Sequence, residues 1–154
     1  MKVFLSYSVD DVKLVYQIAE AIKPYAAVRF WHKDNDPGTD VWQTIHKWID
    51  EADCVIAVIT DNVVRRGESV NQEVEYAKAH GKTVIPIVAT GVGKDRLGCL
   101  SGTTYIPADV ENLDAALDAV KRKVHALRKK KSDQEGLLLL IAFGVVLLGL
   151  GGKS

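Results

Sequence analysis

Short apolar runs alternate with amphipathic helical segments along this chain, and that alternation limits the possible fold more than any other feature. Runs rich in β-branched and aromatic residues, which indicate strands, lie at 2–7, 26–31, 53–60 and 83–88, with a weaker fifth at 103–107. Segments with apolar residues at helical spacing lie at 10–23, 41–52, 69–80 and 110–131. Strands joined by helices in this way form a parallel sheet with helices on both faces.

The sequence therefore predicts an α/β domain with five parallel strands in the flavodoxin-like order, in which the first strand is central. A chain of 154 residues supports one such domain. Ligands of these sheets bind beyond the carboxyl ends of the strands, where the strand order reverses. Tyr7 and Ser8, the 32–40 loop with its Asp-Pro-Gly turn, and the 60–68 loop all follow strands. We expect them to meet on one rim.

Composition argues against several classes of function. The chain carries 20 basic and 20 acidic residues, a balance that disfavours a dedicated nucleic-acid binder. Cys54 and Cys99 form neither a disulfide framework nor a metal motif, which favours a reducing cytoplasm. The histidines at 32, 46, 80 and 125 have no ligand spacing, so we expect no metal and no resident cofactor. The opening "MKVFLSYSVDD" predicts a buried strand and not a signal peptide.

The C-terminal segment "GLLLLIAFGVVLLGLGG", residues 136–152, carries no charge. As a helix it would rise about 25 Å, against about 30 Å for the hydrocarbon of a bilayer. Lysines 129–131 precede it and would hold the rest of the chain in the cytoplasm. The sequence thus predicts a domain at 1–127, a basic and polar linker at 128–135, and a C-terminal transmembrane helix. The alternative is an oligomerisation helix within a cytoplasmic assembly.

The segment "SVNQEVEYAKAHGKTVIPI", residues 69–87, places two glutamates two positions apart on a predicted helix. Ser69 begins a capping-box pattern and Gly81 is suited to end the helix. Glu73 and Glu75 lie roughly 200° apart around the helix axis, so they cannot share a face. We expect Glu73 to flank the buried stripe and Glu75 to face solvent. The buried stripe consists of Val70, Val74 and Ala77.

Four segments of residues 1–127 carry motifs in a characteristic order. They are "VFLSYS" followed by "DD", "DPGTDVW", "IDEADCVIAVIT" and "SVNQEVEYAKAHGKTVIPI". Together they resemble the Toll/interleukin-1 receptor (TIR) domain, in particular its prokaryotic NAD-cleaving members. The resemblance implies an NAD+ glycohydrolase or cyclase, with NAD+ as substrate and self-association through TIR–TIR contacts. It also implies a role in a prokaryotic anti-phage or stress pathway.

The same resemblance implies roles for individual residues. In the family, the catalytic glutamate lies eight residues before the glycine that ends its helix, and Glu73 precedes Gly81 by the same interval. Tyr7 and Ser8 would line the nucleotide. Asp36 and Gly38, in the loop of this or a neighbouring subunit, would approach it. The alternative role of Glu73 is structural: a favourable interaction with the helix dipole, worth about 0.3–1 kcal/mol.

One position departs from the family pattern. Many NAD-cleaving relatives have a tryptophan four residues before the glutamate, and this chain has Ser69 there. Trp31 and Trp42, which flank the 32–40 loop, are candidates to replace that ring. Core packing is the alternative role for both.

A single carboxylate suffices for the implied reaction. The nicotinamide of NAD+ is a cationic leaving group, so its departure needs no general acid, and the ribose becomes oxocarbenium-like as in glycosidases. A carboxylate beside the ribose stabilises that charge without a metal. Attack by water gives ADP-ribose, whereas attack by an internal nucleophile gives a cyclic product.

Two other functions fit parts of the sequence. A non-catalytic TIR scaffold would signal by assembly, and the absence of the tryptophan at position 69 favours it. A phospho-receiver domain shares the strand order, with Asp10, Asp11 and Asp61 as an acidic pocket and Thr90 after the fourth strand. No lysine follows the fifth strand, which disfavours the receiver.

Overall fold

A computed structural model describes residues 1–31, 40–66 and 68–150, with side chains at 1–31, 40–64 and 69–141. The strands are β1 Lys2–Ser6, β2 Ala27–Phe30, β3 Cys54–Ile59, β4 Thr83–Ala89 and β5 Ile106–Ala108. The α-helices are α1 Val12–Ile22, α2 Val41–Glu51, α3 Asp61–Arg66, α4 Glu68–Ala79 and α5 Asp114–Leu150. Single 3₁₀ turns lie at Val9–Asp11, Lys94–Arg96 and Gly98–Leu100.

The five strands form one sheet in the order β2-β1-β3-β4-β5, and every neighbouring pair is parallel. This is the flavodoxin-like order, so the predicted α/β architecture is confirmed, but the central strand is β3 and not β1 as predicted. The chain leaves β1 toward β2 on one side and returns to place β3 on the other. The strand order therefore reverses beside the carboxyl end of β1, where ligands of such sheets bind.

Each face of the sheet is covered by its own layer of helices. Val3, Leu5 and Ile56 pack on one face with residues of α1 and α5. On the opposite face, Phe4 and Val55 pack with residues of α2 and α4. The alternation follows from the two-residue period of a strand. All six residues of β3 are buried, as expected for a strand covered on both faces.

The connection after β3 differs from the prediction of a polar loop at 61–68. Residues Asp61–Arg66 form α3, because the Thr60 hydroxyl accepts a hydrogen bond from the Asn62 amide at 3.1 Å and caps the helix. The next helix, α4, begins at Glu68, so Ser69 lies inside its first turn and does not cap it. Gly81 does end α4, with a φ of 68° that favours glycine.

The C-terminal segment does not form the predicted separate hydrophobic helix. Helix α5 is 37 residues long and runs through 128–135 without a break. Its first half packs on the sheet, and Lys131 forms a 2.8 Å ion pair with Asp53 at the start of β3.

The uncharged end of α5, residues 136–150, would rise only about 22 Å. Within residues 1–31, 40–66 and 68–150, no helix is long and apolar enough to cross a membrane. The prediction of a transmembrane anchor and a membrane location is therefore wrong. The apolar run continues a helix whose preceding turns are charged, and its residues 136–141 are exposed.

Candidate active site

A cavity of about 150 Å³ opens at the carboxyl ends of β1 and β2, under the first turns of α2 and α4. The described residues that line it are Phe4, Leu5, Tyr7, Val9, Trp31, Val41, Trp42, Ile45, Ser69 and Glu73. Its walls are mainly apolar and aromatic, with a few polar groups, as in small-molecule sites generally. The structure thus brings together the predicted site residues Tyr7, Trp31, Trp42 and Glu73.

Glu73 reaches this cavity because of its place on α4. Val70, Val74 and Ala77 are buried along the inner face of the helix, and Glu73 flanks that stripe with only 6 % of its surface exposed. Glu75 is exposed. The helical period therefore separated the two glutamates as predicted.

Burial changes the acid–base behaviour of Glu73. Desolvation raises the pKa of its carboxyl from 4.5 to about 7, and the nearby Ser6 hydroxyl opposes that rise by stabilising the charged form. A carboxyl group near half-ionisation at neutral pH, facing a cavity, is a frequent property of functional sites.

Ser6 is a residue that the sequence reasoning missed. It is fully buried at the end of β1, and in the described part of the chain its hydroxyl has no hydrogen-bond partner of standard geometry. The alternation of side chains along β1 could have identified this residue from the sequence. Phe4 faces the α2–α4 layer, so Ser6, two residues further along, faces the same layer.

Tyr7 joins the ends of two strands at the cavity. Its hydroxyl donates a 2.5 Å hydrogen bond to the backbone carbonyl of Trp31. Its ring also packs edge-on against Phe30, at 5.9 Å between centroids. Burial raises the pKa of the Tyr7 phenol, with smaller contributions from Tyr16 and from the charge of Glu73.

The two tryptophans of the cavity have different surroundings. Trp31 is partly buried and packs against Trp48, at 6.0 Å between ring centroids, in the same apolar cluster as Phe4. Trp42 stands at the mouth with 39 % of its surface exposed and lies 5.8 Å from the ring of His46. Trp31 therefore has a packing role as well as a wall position, whereas Trp42 is available to a ligand.

The remaining predicted contacts are not part of the described cavity wall. Ser8 is buried, and its carbonyl accepts a hydrogen bond from the Asp11 amide at 2.8 Å, which starts the 3₁₀ turn after β1. Asp36 and Gly38 lie outside the described residues.

The acidic residues of the receiver hypothesis lie around a second, separate cavity. One carboxylate oxygen of Asp11 accepts a hydrogen bond from Thr60 at 2.6 Å, and the other accepts one from Asn62 at 2.8 Å. Asp11 thus holds the turn after β3 in place. Among the described side chains, no group of three or more His, Cys, Asp or Glu residues is arranged to hold a metal ion.

These features define an α/β protein of flavodoxin-like strand order whose candidate ligand site contains a buried glutamate at the reversal of the strand order. The sequence model of the TIR domain matches residues 3–129. The chain therefore belongs to the TIR domain family, which confirms the resemblance of the four sequence motifs.

Solved structures share this fold. The TIR domains of the activated Roq1 resistosome directly recognizing the pathogen effector XopQ are 13 % identical, with a TM-score of 0.51 over 83 % of both chains. A 2-deoxyribosyltransferase from the psychrotolerant bacterium Bacillus psychrosaccharolyticus is 22 % identical, with a TM-score of 0.52 over 76 % of this chain and 96 % of that one. A prokaryotic SEFIR domain is 16 % identical, with a TM-score of 0.53 over 82 % and 91 %. At these identities the likeness shows the fold alone. No curated protein matches the chain.

Proposed function

We propose that this chain is an NAD+ glycohydrolase or cyclase of the TIR type, with Glu73 as its catalytic carboxylate. The enzyme breaks the bond between nicotinamide and ribose, releasing nicotinamide and either ADP-ribose or a cyclic ADP-ribose. The observation that carries this proposal is the burial of Glu73 beside Tyr7, Trp31 and Trp42 in one cavity at the rim.

The chemistry follows from a carboxylate in an apolar cavity. As nicotinamide leaves, positive charge develops on the ribose, and the Glu73 carboxylate stabilises it. That attraction is stronger in a cavity that excludes water than at an exposed site. The pKa of about 7 for the empty cavity falls when the cationic nicotinamide ring enters, because an opposite charge favours the ionised carboxylate. Substrate binding therefore prepares the catalytic charge.

The size of the cavity indicates which part of NAD+ it holds. Its volume is about 150 Å³, whereas sites that enclose a whole drug-sized ligand typically measure about 300–1,000 Å³. We place the nicotinamide and its ribose in the cavity, with Trp42 at the mouth as the stacking ring. The rest of the dinucleotide extends along the rim, where Ser8, Asp36 and Gly38 remain proposed contacts.

Self-association through TIR–TIR contacts activates the enzyme in this proposal, within a prokaryotic anti-phage or stress pathway. Membership of the TIR family and the fold shared with the TIR domains of an activated resistosome support this part. The exposed apolar residues from Leu137 to Ile141 on α5 provide a further surface for association.

The decisive experiment compares two matched glutamate variants. The purified full-length chain is incubated with NAD+ over a range of protein concentrations, and products are identified by mass spectrometry. Glu73→Gln removes the charge and keeps the shape, and Glu75→Gln makes the same change on the exposed face of α4. We expect Glu73→Gln to lose nicotinamide release by about 10²-fold or more and Glu75→Gln to retain it. Equal activity of the two variants, or intact NAD+ at every concentration, would overturn the proposal.

A non-catalytic TIR scaffold is the second candidate function, and the serine at position 69 favours it. Ser69 stands exposed on the cavity wall where many NAD-cleaving relatives have a tryptophan. Under this alternative, assemblies of the purified chain leave NAD+ intact, and Glu73→Gln assembles as the parent chain does.

A further inference from the structure

The Ser6 hydroxyl is buried, and its contacts with the described residues give it no structural role. The residue has no exposed surface, and no described atom forms a hydrogen bond of standard geometry with its Oγ. The large majority of buried polar side chains are paired, so an unpaired hydroxyl in a well-packed strand calls for an explanation. Its position suggests one.

Ser6 and Glu73 lie at about the same distance from the rim of the sheet, on the two sides of the gap between β1 and α4. Phe4 of β1 and Ala77 of α4 share an apolar cluster. Moving from Phe4 to Ser6 advances about 6.6 Å toward the rim. Because α4 returns from the rim, moving back from Ala77 to Glu73 advances about 6 Å in the same direction. The second pair therefore faces across the same gap as the first.

The surroundings leave Glu73 as the polar neighbour of this hydroxyl. On β3, the residue paired with Ser6 is Ala57. From α2, the residues that line the cavity are Val41, Trp42 and Ile45, and on α4 Val70 and Val74 are buried beside Glu73. Tyr7 is a neighbouring titratable group, and the charge of Glu73 contributes to the raised pKa of its phenol. The Ser6 hydroxyl favours the charged form of Glu73.

We propose that Ser6 is a positioning residue for Glu73: the carboxylate, once ionised, accepts a hydrogen bond from the Ser6 hydroxyl, and substrate in the cavity favours that ionised state. This inference rests on the proposed cleavage of NAD+. In the bound state one carboxylate oxygen faces the ribose, and the other accepts a hydrogen bond from the Ser6 hydroxyl. A hydroxyl–carboxylate bond of this kind is short and strong, so it fixes the orientation of the carboxylate and keeps it ionised.

The test uses Ser6→Ala, with Ser6→Thr as the variant that keeps a hydroxyl. Cys54→Ala is the matched control, because it removes one heavy atom from a fully buried strand residue on the opposite face of the sheet. For each chain, kcat and KM for NAD+ are measured from pH 5.5 to 8.5. The midpoint of Glu73 ionisation is measured by carboxyl ¹³C NMR, with Glu73→Gln used to assign the signal. Thermal unfolding reports stability.

We expect Ser6→Ala to lower kcat about tenfold while KM changes less than twofold, and to move the acid limb of the profile upward by about half a pH unit or more. Ser6→Thr recovers the profile, and Cys54→Ala keeps it. At pH 5.5, where Glu73 is mostly protonated, the melting temperature of Ser6→Ala stays level or rises, since an unpaired hydroxyl is removed, whereas a structural role would lower it.

Two results separate this inference from the proposed function. If the parent chain cleaves NAD+ and Ser6→Ala matches Cys54→Ala in kcat and pH profile, the role of Ser6 is overturned while the enzymatic function stands. If the parent chain leaves NAD+ intact, the function falls, and NMR still decides the pairing. A raised Glu73 midpoint in Ser6→Ala then supports the Ser6–Glu73 pair, and an unchanged midpoint overturns it.

Discussion

The Tyr7 hydroxyl donates a 2.5 Å hydrogen bond to the Trp31 carbonyl and so joins the ends of β1 and β2 at the wall of the cavity. The bond crosses 24 residues of sequence and fixes the last described residue before the 32–39 segment. The phenolic hydroxyl therefore holds the backbone of Trp31, while its ring is held by packing against Trp48.

Tyr7→Phe removes this bond and keeps the ring in its contact with Phe30. We expect the free energy of unfolding to fall by about 1 kcal/mol, the usual contribution of such a bond. We also expect the KM for NAD+ to rise severalfold with a smaller change in kcat, because the wall of the site loosens while Glu73 is untouched. Urea denaturation and initial-rate kinetics measure both effects. Tyr25→Phe, a change at a ring that packs on His125 of α5, is the control and should alter neither KM nor kcat.

The raised pKa of Glu73 makes stability depend on pH in a direction opposite to that of most carboxyl groups. The folded-state pKa of about 7 exceeds the unfolded value of 4.5, so the folded chain binds more protons between those values. The ionisation of Glu73 therefore costs no stability below about pH 4.5. Its cost grows as the pH rises through the window and reaches about 3 kcal/mol above pH 7.

Glu73→Gln removes this cost because glutamine is neutral at every pH. We expect the variant to match the parent chain in stability at pH 4 and to exceed it by about 3 kcal/mol at pH 8. Urea denaturation of both chains from pH 4 to 8 measures the difference. Glu75→Gln, exposed on the same helix, should show no such trend. A constant difference across the range would mean that Glu73 ionises like an exposed residue.

The pH dependence of NAD+ cleavage should report the same group. The fall of kcat/KM on the acidic side of the pH profile reports ionisation in the free enzyme. Its midpoint is therefore expected near pH 7, and kcat/KM should fall tenfold for each pH unit below that midpoint. The limb of kcat reflects the complex, in which the cationic nicotinamide favours the carboxylate, so its midpoint lies lower. Steady-state kinetics from pH 5 to 8.5 test both. A rate that is constant over this range would remove Glu73 from the catalytic step.

Much of this fold follows from local sequence patterns. Because strands and helices alternate, the sheet order was predictable, and the helical period alone separates Glu73 from Glu75. Strand alternation also contained the position of Ser6, once Phe4 is assigned to the α2–α4 layer. These inferences depend on neighbours within a few residues along the chain.

The errors arose where distant residues decide the local structure. Helix α3 starts at Asp61, directly after Thr60, whose hydroxyl donates a hydrogen bond to Asp11 in the 3₁₀ turn that follows β1. No pattern within 61–68 indicates that contact. Likewise, Lys131 of α5 pairs with Asp53, 78 residues away, and no pattern within 128–135 indicates that contact. An apolar run looks the same in sequence whether it spans a membrane or extends an exposed helix.

Removal of residues 136–154 tests what the apolar end of α5 does. The side chains from Leu137 to Ile141 are 55–72 % exposed and lie beyond the part of the helix that packs on the sheet. We expect truncation to change the melting temperature by no more than about 2 °C and to lower the mass measured by light scattering. Exposed contiguous apolar surface on a monomer usually marks an association site.

A control variant of unchanged length distinguishes the effect of losing apolar contacts from the effect of shortening the chain. Replacing Leu137, Leu138 and Leu140 with glutamine keeps the helix propensity and removes much of the exposed apolar surface. This variant should also have the lower mass. If the unmodified chain is monomeric at the same concentration, the end of α5 is not an association surface.

Trp42 and Trp31 differ in exposure, and the difference predicts opposite effects of truncating their side chains. Trp42 is 39 % exposed at the mouth, so Trp42→Ala should cost little stability. It should raise the KM for NAD+ by about two- to tenfold, as expected for the loss of one aromatic stacking contact. Initial-rate kinetics over a range of NAD+ concentrations measure this.

Trp31→Ala removes a ring that packs against Trp48 in the cluster containing Phe4. We expect a loss of about 2–3 kcal/mol, below the range for a fully buried tryptophan because Trp31 is only partly buried. Urea denaturation of the two variants gives the comparison. The reverse result, with Trp42→Ala destabilised and unchanged in KM, would make Trp42 a packing residue. If Trp31→Ala also left the KM unchanged, neither described tryptophan of the wall would replace the ring that many NAD-cleaving relatives have at the position of Ser69, and the non-catalytic scaffold would become the better account of this chain.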